Sequence, residues 1–266
     1  GQAQLLDASV MARTYSVVLD DGGDDGAIFN YVDTASTKAE IAAIASKLEL
    51  AKIVIVGLGG TGSYVLDLIA KTPVRAIHIY DGDVFLQKNA FRAPGAPSIE
   101  ELQAKPKKAH YLRDIYSHMH RGIVAHDVYV EGEVIEQLRD ASFVFICVDR
   151  GSARKAISLK LEAFGIPFVD VGMGIQVGDG ALFGVVRATT STSTRRDHFS
   201  RHVSFADDEV ENEYNRNIQV ADLNALNAAL AVVKWKKLFG FYADLEREHH
   251  CTYTIDGNFT TNEEKA

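Results

Sequence analysis

The chain has 266 residues, 47% of them apolar, enough for one large α/β domain or two small ones. Its formal charge of −8 argues against a nucleic-acid partner, which would need a basic face. No apolar run is long enough for a membrane span, and nothing at the start reads as a signal peptide. The two cysteines, Cys147 and Cys251, fit a reducing cytoplasm and cannot build a four-thiolate zinc centre.

Residues 15–32 predict a β-hairpin, two β-rich runs around an Asp/Gly turn. Residues 36–50 predict a helix with Ser36 or Thr37 as N-cap. From residue 53 the pattern alternates: strand "KIVIVGL", helix "GSYVLDLIAKT", strand "AIHIYD", helix "PKKAHYLRDIYSHMH", strand "IVAHDVYV", helix "VIEQLRDA", strand "FVFICVD", helix "ARKAISLKLEAFG" and strand "PFVDVGMG". Such alternation predicts a Rossmann-like α/β fold, a mainly parallel sheet with helices on both faces. Cys147, inside "FVFICVD", reads as buried packing. After residue 172 the rhythm changes: "GIQVGDGALFGVVRATT" predicts an antiparallel pair around "GDG". Residues 190–216 read as a long polar loop, residues 221–242 as an amphipathic helix, and the remainder as a polar tail. The expected division is an N-terminal hairpin segment over 1–38 and one nucleotide-binding domain over 39–266.

Chemistry concentrates at "IVIVGLGGTGS". Gly57, Gly59 and Gly62 satisfy G-x-G-x-x-G, with Gly60 added, between a predicted strand and a predicted helix. Glycine permits a sharp turn and close approach of a ligand, and the helix N-terminus offers N–H groups to an anion. Asp81 ends the next strand, where an acid accepts hydrogen bonds from ribose hydroxyls. To this point NAD, FAD and ATP fit equally. Asp83, Asn89 and Arg92 follow at once, and Lys107 opens a helix. A triphosphate needs such cations and polar anchors, and a dinucleotide does not. Lys105 and Lys108 read more plainly as solvated surface lysines. Asp149 closes "FVFICVD" at the carboxyl end of a predicted parallel strand, where ligands of open sheets bind and where a carboxylate suits Mg²⁺; a helix cap is the plainer alternative.

The ordered set G-x-G-G-x-G, D-x-D, N-x-x-R, P-K at a helix start and Asp after an apolar strand resembles the ThiF/MoeB-type adenylyltransferases, a superfamily that includes the ubiquitin-activating enzymes. The similarity covers roughly residues 40 to 240. It implies ATP phosphates at Gly59 and its neighbours, ribose at Asp81, phosphate contacts from Asn89 and Arg92, neutralisation by Lys107, and Mg²⁺ at Asp149. It also implies adenylation of the C-terminal glycine carboxylate of a ubiquitin-like or sulfur-carrier protein, a homodimer, and a conjugating enzyme or sulfur donor downstream. The dimer would form around residues 223–242, where Trp235 either anchors an interface or packs within the core.

The chain departs from the pattern in several places. Asp149 is followed by Arg150 where the family has Asn, placing a cation at the rim or facing the substrate. There is no Cys-x-x-Cys pair, so no structural zinc is expected. His198 and His202 sit four apart and "EHHC" adds His249, His250 and Cys251; a metal site is one reading of them, and exposed polar helix or tail is the plainer one. Thioester-forming relatives carry a cysteine nucleophile near the crossover loop, and only Cys251, beside two histidines, is available for it here. No R-x-x-R-Q helix precedes residue 50, leaving Arg13 or Arg154 to supply an arginine finger. Two other readings stand: a non-catalytic scaffold for a ubiquitin-like partner, and an NAD-dependent oxidoreductase in which Asn89, Arg92 and Lys107 have no task.

Overall fold

A computed structural model describes residues 26–38, 41–206 and 218–265. Four short apolar segments form parallel strands: β1 (Ile53–Val56), β2 (Ile77–Tyr80), β3 (Ile123–His126) and β4 (Phe143–Ile146). Four longer ones follow: β5 (Phe168–Gly178), β6 (Ala181–Ser191), β7 (Glu248–Thr254) and β8 (Phe259–Lys265). All eight join one sheet in the order β3-β2-β1-β4-β5-β6-β7-β8. Pairing is parallel from β3 through β5 and antiparallel from β5 to β8. This is the Rossmann-like α/β fold expected from the alternating pattern, with an antiparallel extension.

β1 and β4 are buried along their whole length because helices cover both faces, which is why they read as continuous apolar runs. Alternate residues serve opposite layers. Ile53 and Ile55 pack with Val65, Leu66, Ala228 and Trp235 of the helices Gly60–Ile69 and Ala221–Leu238. Val54 and Val56 pack on the other side with Ile157 and Leu161 of the helix Gly151–Phe164. Gly165 ends that helix in the left-handed conformation, φ 77°, which a glycine adopts without a Cβ penalty. β5 and β6 meet at Asp179–Gly180, whose φ values of 50° and 76° suit a two-residue hairpin turn.

Several expectations change. Most of the 15–32 hairpin lies outside the described residues; within its described end, Phe29 pairs with His120. The helix expected over 36–50 is instead broken into Thr34–Lys38, Ala42–Ala45 and a 3-10 turn at Ser46–Leu48. Asp33, not Ser36 or Thr37, caps its start, its carboxylate accepting the N–H groups of Ala35 and Ser36. The segment read as helix near 134–141 is a 3-10 turn, Gly132–Leu138. In the expected 190–216 loop, residues up to 206 are tied down: Thr192 bridges Arg195, and Phe199 and Val203 are buried. Residues 207–217 lie outside the described set. The polar tail is β7 and β8. Its buried residues, His249, His250 and Cys251, are polar or small, so hydropathy gave no strand signal. Trp235 is fully buried against Phe145 and Phe239, so it packs the core and anchors no interface.

Candidate functional site

The carboxyl ends of β1, β2, β4 and β5 open onto a cleft of about 920 Å³, where ligands of such sheets bind. The glycine turn forms its floor, and each glycine answers to a different neighbour. Gly57 takes φ 88°, and a Cβ on it would meet the Cys147 carbonyl oxygen at 2.7 Å. A Cβ on Gly62 would sit 1.9 Å from the Gly57 carbonyl oxygen, and one on Gly60 would overlap the Asn224 amide at 2.1 Å. Gly59 differs. It caps the helix Gly60–Ile69 at an ordinary φ of −69°, lines the cleft, and a Cβ there would meet nothing within 4 Å among the described residues. Protein packing therefore does not require glycine at 59, and the space beside it opens onto the cleft.

Asp81, 8% exposed at the end of β2, braces this turn. One carboxylate oxygen accepts the Leu58 N–H at 2.7 Å and the other the Asp83 N–H at 2.9 Å. Lys108 lies between the two acids, 2.7 Å from Asp83 and 3.5 Å from Asp81, and is itself buried. Burial alone would raise the Asp83 pKa, but hydrogen bonds from Lys108 and Tyr129 outweigh it and hold the carboxyl below the usual range. Lys107, the lysine favoured on sequence, is the N-cap of the helix Lys108–Tyr116 and donates to the Gly82 carbonyl. It does not line the cleft; Lys108, read from sequence as a surface lysine, does. Two adjacent lysines differ by about 100° around a helix start, so the sequence offered no means of choosing between them.

Asn89 is buried, and its side-chain oxygen accepts the Leu86 N–H at 2.8 Å. It thereby shapes the turn that presents Arg92, whose backbone N–H donates to the Asn89 carbonyl. The Arg92 guanidinium lines the cleft with no ion-pair partner among the described residues, and its Nε is buried without a hydrogen bond. Asp149 is exposed in the cleft wall and makes no hydrogen bond or ion pair with the described residues. Arg150 pairs with Glu131 at 2.7 Å on the rim. Arg154 is committed to structure: it binds the fully buried Asp170 at 2.8 Å and the Val148 carbonyl, and Arg187 completes the cluster at 2.6 Å from Asp170. It is therefore not a free arginine finger, and Arg13 lies outside the described residues.

The thiols are unsuited to nucleophilic work. Cys251 is 4% exposed in the core layer that holds Trp235, and burial pushes its pKa up. Its neighbours His250 and Thr252 line the cleft, so Cys251 points to the opposite face of β7. The expected Cys251 nucleophile is thus corrected by strand geometry. Burial likewise raises the Cys147 thiol.

The family model described as "ThiF family" matches residues 34–252. The chain belongs to the ThiF family. No curated protein matches it in sequence. Among solved structures, this ThiF-family chain resembles PaaA, with TM-score 0.66 and 14% identity over 99% of this chain and 80% of PaaA. It also resembles E. coli MccB with ATP, with TM-score 0.62 and 16% identity over 84% of this chain and 66% of MccB. A third is the microcin C7 biosynthetic enzyme MccB with N-formylated MccA, with TM-score 0.63 and 17% identity over 84% and 67%. At these identities the likeness shows the shared fold, and the chain spans about two thirds of the MccB length.

Proposed function

We propose that this ThiF-family chain uses ATP to adenylate a carboxylate carried by a polypeptide, releasing pyrophosphate. The observation that carries the reading is Gly59, a helix-capping glycine that no protein atom requires, opening onto a cleft that holds an unpaired arginine. A phosphate accounts for both, since it needs close backbone approach, the N-terminal end of a helix and a cationic fork.

In this reading Gly57, Gly59, Gly60 and Gly62 form the phosphate turn. Asp81 holds that turn and takes the ribose, and Arg92 takes phosphate oxygens. Asn89 positions Arg92. Lys108 reduces the charge of Asp81 and Asp83 beside the polyanion, while Lys107 fixes the Gly82 backbone. Asp149, an exposed carboxylate without a partner among the described residues, suits Mg²⁺, a hard ion that favours carboxylate and phosphate oxygen. When bound, Mg²⁺ would offset phosphate charge. A substrate carboxylate oxygen forms a bond to the α-phosphorus, the bond from that phosphorus to the bridging oxygen breaks, and pyrophosphate leaves. The chain contributes orientation and electrostatics, and no protein nucleophile takes part.

The cleft extends past the nucleotide residues to Met173, Ile175, Val185 and Ile218, an apolar stretch suited to an extended chain end. MccB has been solved with MccA and with ATP. The finer reading is the C-terminal glycine of a ubiquitin-like or sulfur-carrier protein. The test is ATP–pyrophosphate exchange in the presence of polypeptides with free C-termini, carriers ending in glycine among them. Exchange that depends on the free carboxylate supports the proposal. ATP binding without exchange across the panel, or preference for NADH over ATP, overturns it.

A further inference from the structure

Beyond the nucleotide residues, the cleft wall holds a second cluster built from three elements. His250 on β7 lies directly across from Glu263 on β8, so the two side chains share a face of the sheet. His202, from the short helix Phe199–His202, stacks its ring on His250 with centroids 3.9 Å apart. One ring nitrogen of each histidine and one Glu263 carboxylate oxygen lie within 4.8 Å of one another. Both histidines line the cleft.

The rings are held as metal-ligating rings are held. His202 Nε2 faces a Glu264 carboxylate oxygen at 2.8 Å, and His250 Nδ1 faces the Thr189 hydroxyl at 2.8 Å. Each ring thus keeps one nitrogen fixed by an outer partner and one left over, the arrangement that orients histidine ligands. Of the other two histidines nearby, His249 has both ring nitrogens engaged, by the Arg247 carbonyl and the Thr192 hydroxyl, whereas His198 sets Nε2 on the Thr190 carbonyl and keeps a buried Nδ1 without a partner among the described residues.

We propose that His202, His250 and Glu263 bind a divalent first-row transition ion of the zinc type, leaving one coordination position open. Two imidazoles and one carboxylate are a ligand set of open zinc sites, whose fourth position takes water or a substrate oxygen. Imidazole nitrogen distinguishes it from the all-oxygen sites that Mg²⁺ prefers. Zinc bonds of about 2.0–2.2 Å require ligand atoms to close to roughly 3.5 Å. Glu263 is exposed, with no hydrogen-bond or ion-pair partner among the described residues, so its side chain can turn toward the rings, and the two rings, 23° from parallel, must rotate to converge on one ion.

The cations around the site are each paired with a carboxylate. Arg187 is paired with Asp170, Arg195 and Arg201 with Glu264, and Lys234 with Glu248. Glu263 is a carboxylate without an ion-pair partner among the described residues.

The test uses untagged protein stripped with chelator and titrated with Co²⁺, then Zn²⁺. The expected result is one equivalent of Co²⁺ with visible d–d absorption, displaced by Zn²⁺. Glu263→Gln, at an exposed position that leaves the core untouched, is expected to weaken binding tenfold or more, and His202→Ala to abolish the absorption. The wild-type protein taking up no stoichiometric Co²⁺ overturns the proposal, as does equal uptake by the wild type and both variants.

Discussion

The carboxylate of Asp81 accepts the backbone N–H of Leu58 across 2.7 Å, joining the end of β2 to the glycine turn after β1. Leu58 is buried, so without this acceptor its N–H faces no water. Asp81→Ala is expected to cost about 1–3 kcal/mol, the penalty for an unsatisfied buried donor. Asp81→Asn keeps one acceptor and is expected to cost less. Urea unfolding of both variants checks the order, and nucleotide titration is expected to show weaker binding in each.

The two neighbouring lysines separate cleanly. Lys108→Met leaves Asp81 and Asp83 facing the phosphates unscreened and is expected to lower pyrophosphate exchange about 100-fold or more. Lys107→Met removes only a bond to the Gly82 carbonyl outside the cleft and is expected to change exchange little. The reverse ranking would return the phosphate role to Lys107.

The glycines give a second separation. Gly59→Ala introduces a methyl group that meets no protein atom, so its melting temperature is expected to stay near that of the wild type while ATP affinity falls. Gly62→Ala forces a carbon against the Gly57 carbonyl and is expected to lower stability by about 1–3 kcal/mol or more. Calorimetric melts with and without ATP read both effects.

Cys251→Ala is expected to leave exchange activity unchanged and to cost about 1–3 kcal/mol of stability through the space left in the core. In the native wild type the thiol is expected to resist alkylation until the protein unfolds, because it is buried and its pKa is raised.

Stability is expected to fall between about pH 6.5 and pH 4 in metal-free protein. Burial lowers His78 and His250 to about 4 in the folded chain, against roughly 6.5 unfolded. Across that interval the unfolded chain takes up the protons, so the stability present above pH 6.5 is lost as pH falls. Urea midpoints at pH 7 and pH 5 measure the drop, and His250→Gln is expected to shallow it.

The parallel half of the fold was legible because buried strands and amphipathic helices write opposite periodicities into the chain. Strands β1 and β4 are runs of apolar residues, and the turn Asp179–Gly180 announces its hairpin. Strands β7 and β8 were not legible. Strand β7 buries His249, His250 and Cys251, and β8 buries none of its residues; the histidines are held by Thr189 and Thr192, and such pairing leaves no mark on hydropathy. The site followed the same rule. Asp81, Arg92 and Asp149 line the cleft because their places at strand ends and after a D-x-D turn fix where they lie. Lys108 was hidden because helix phase, one residue either way, decides which lysine faces inward. The juxtaposition of His202 with His250 and Glu263 spans three separated segments and exists only once the sheet has formed.

The unequal claims on the four glycines leave a signature that inheritance would read. Gly57, Gly60 and Gly62 are held by the fold, whereas Gly59 is held by nothing among the described residues. A descendant that kept the architecture and abandoned the nucleotide would retain the first three and drift at the fourth. A larger residue at position 59, with its three companions intact, would therefore mark a lineage that has turned the same scaffold to another use.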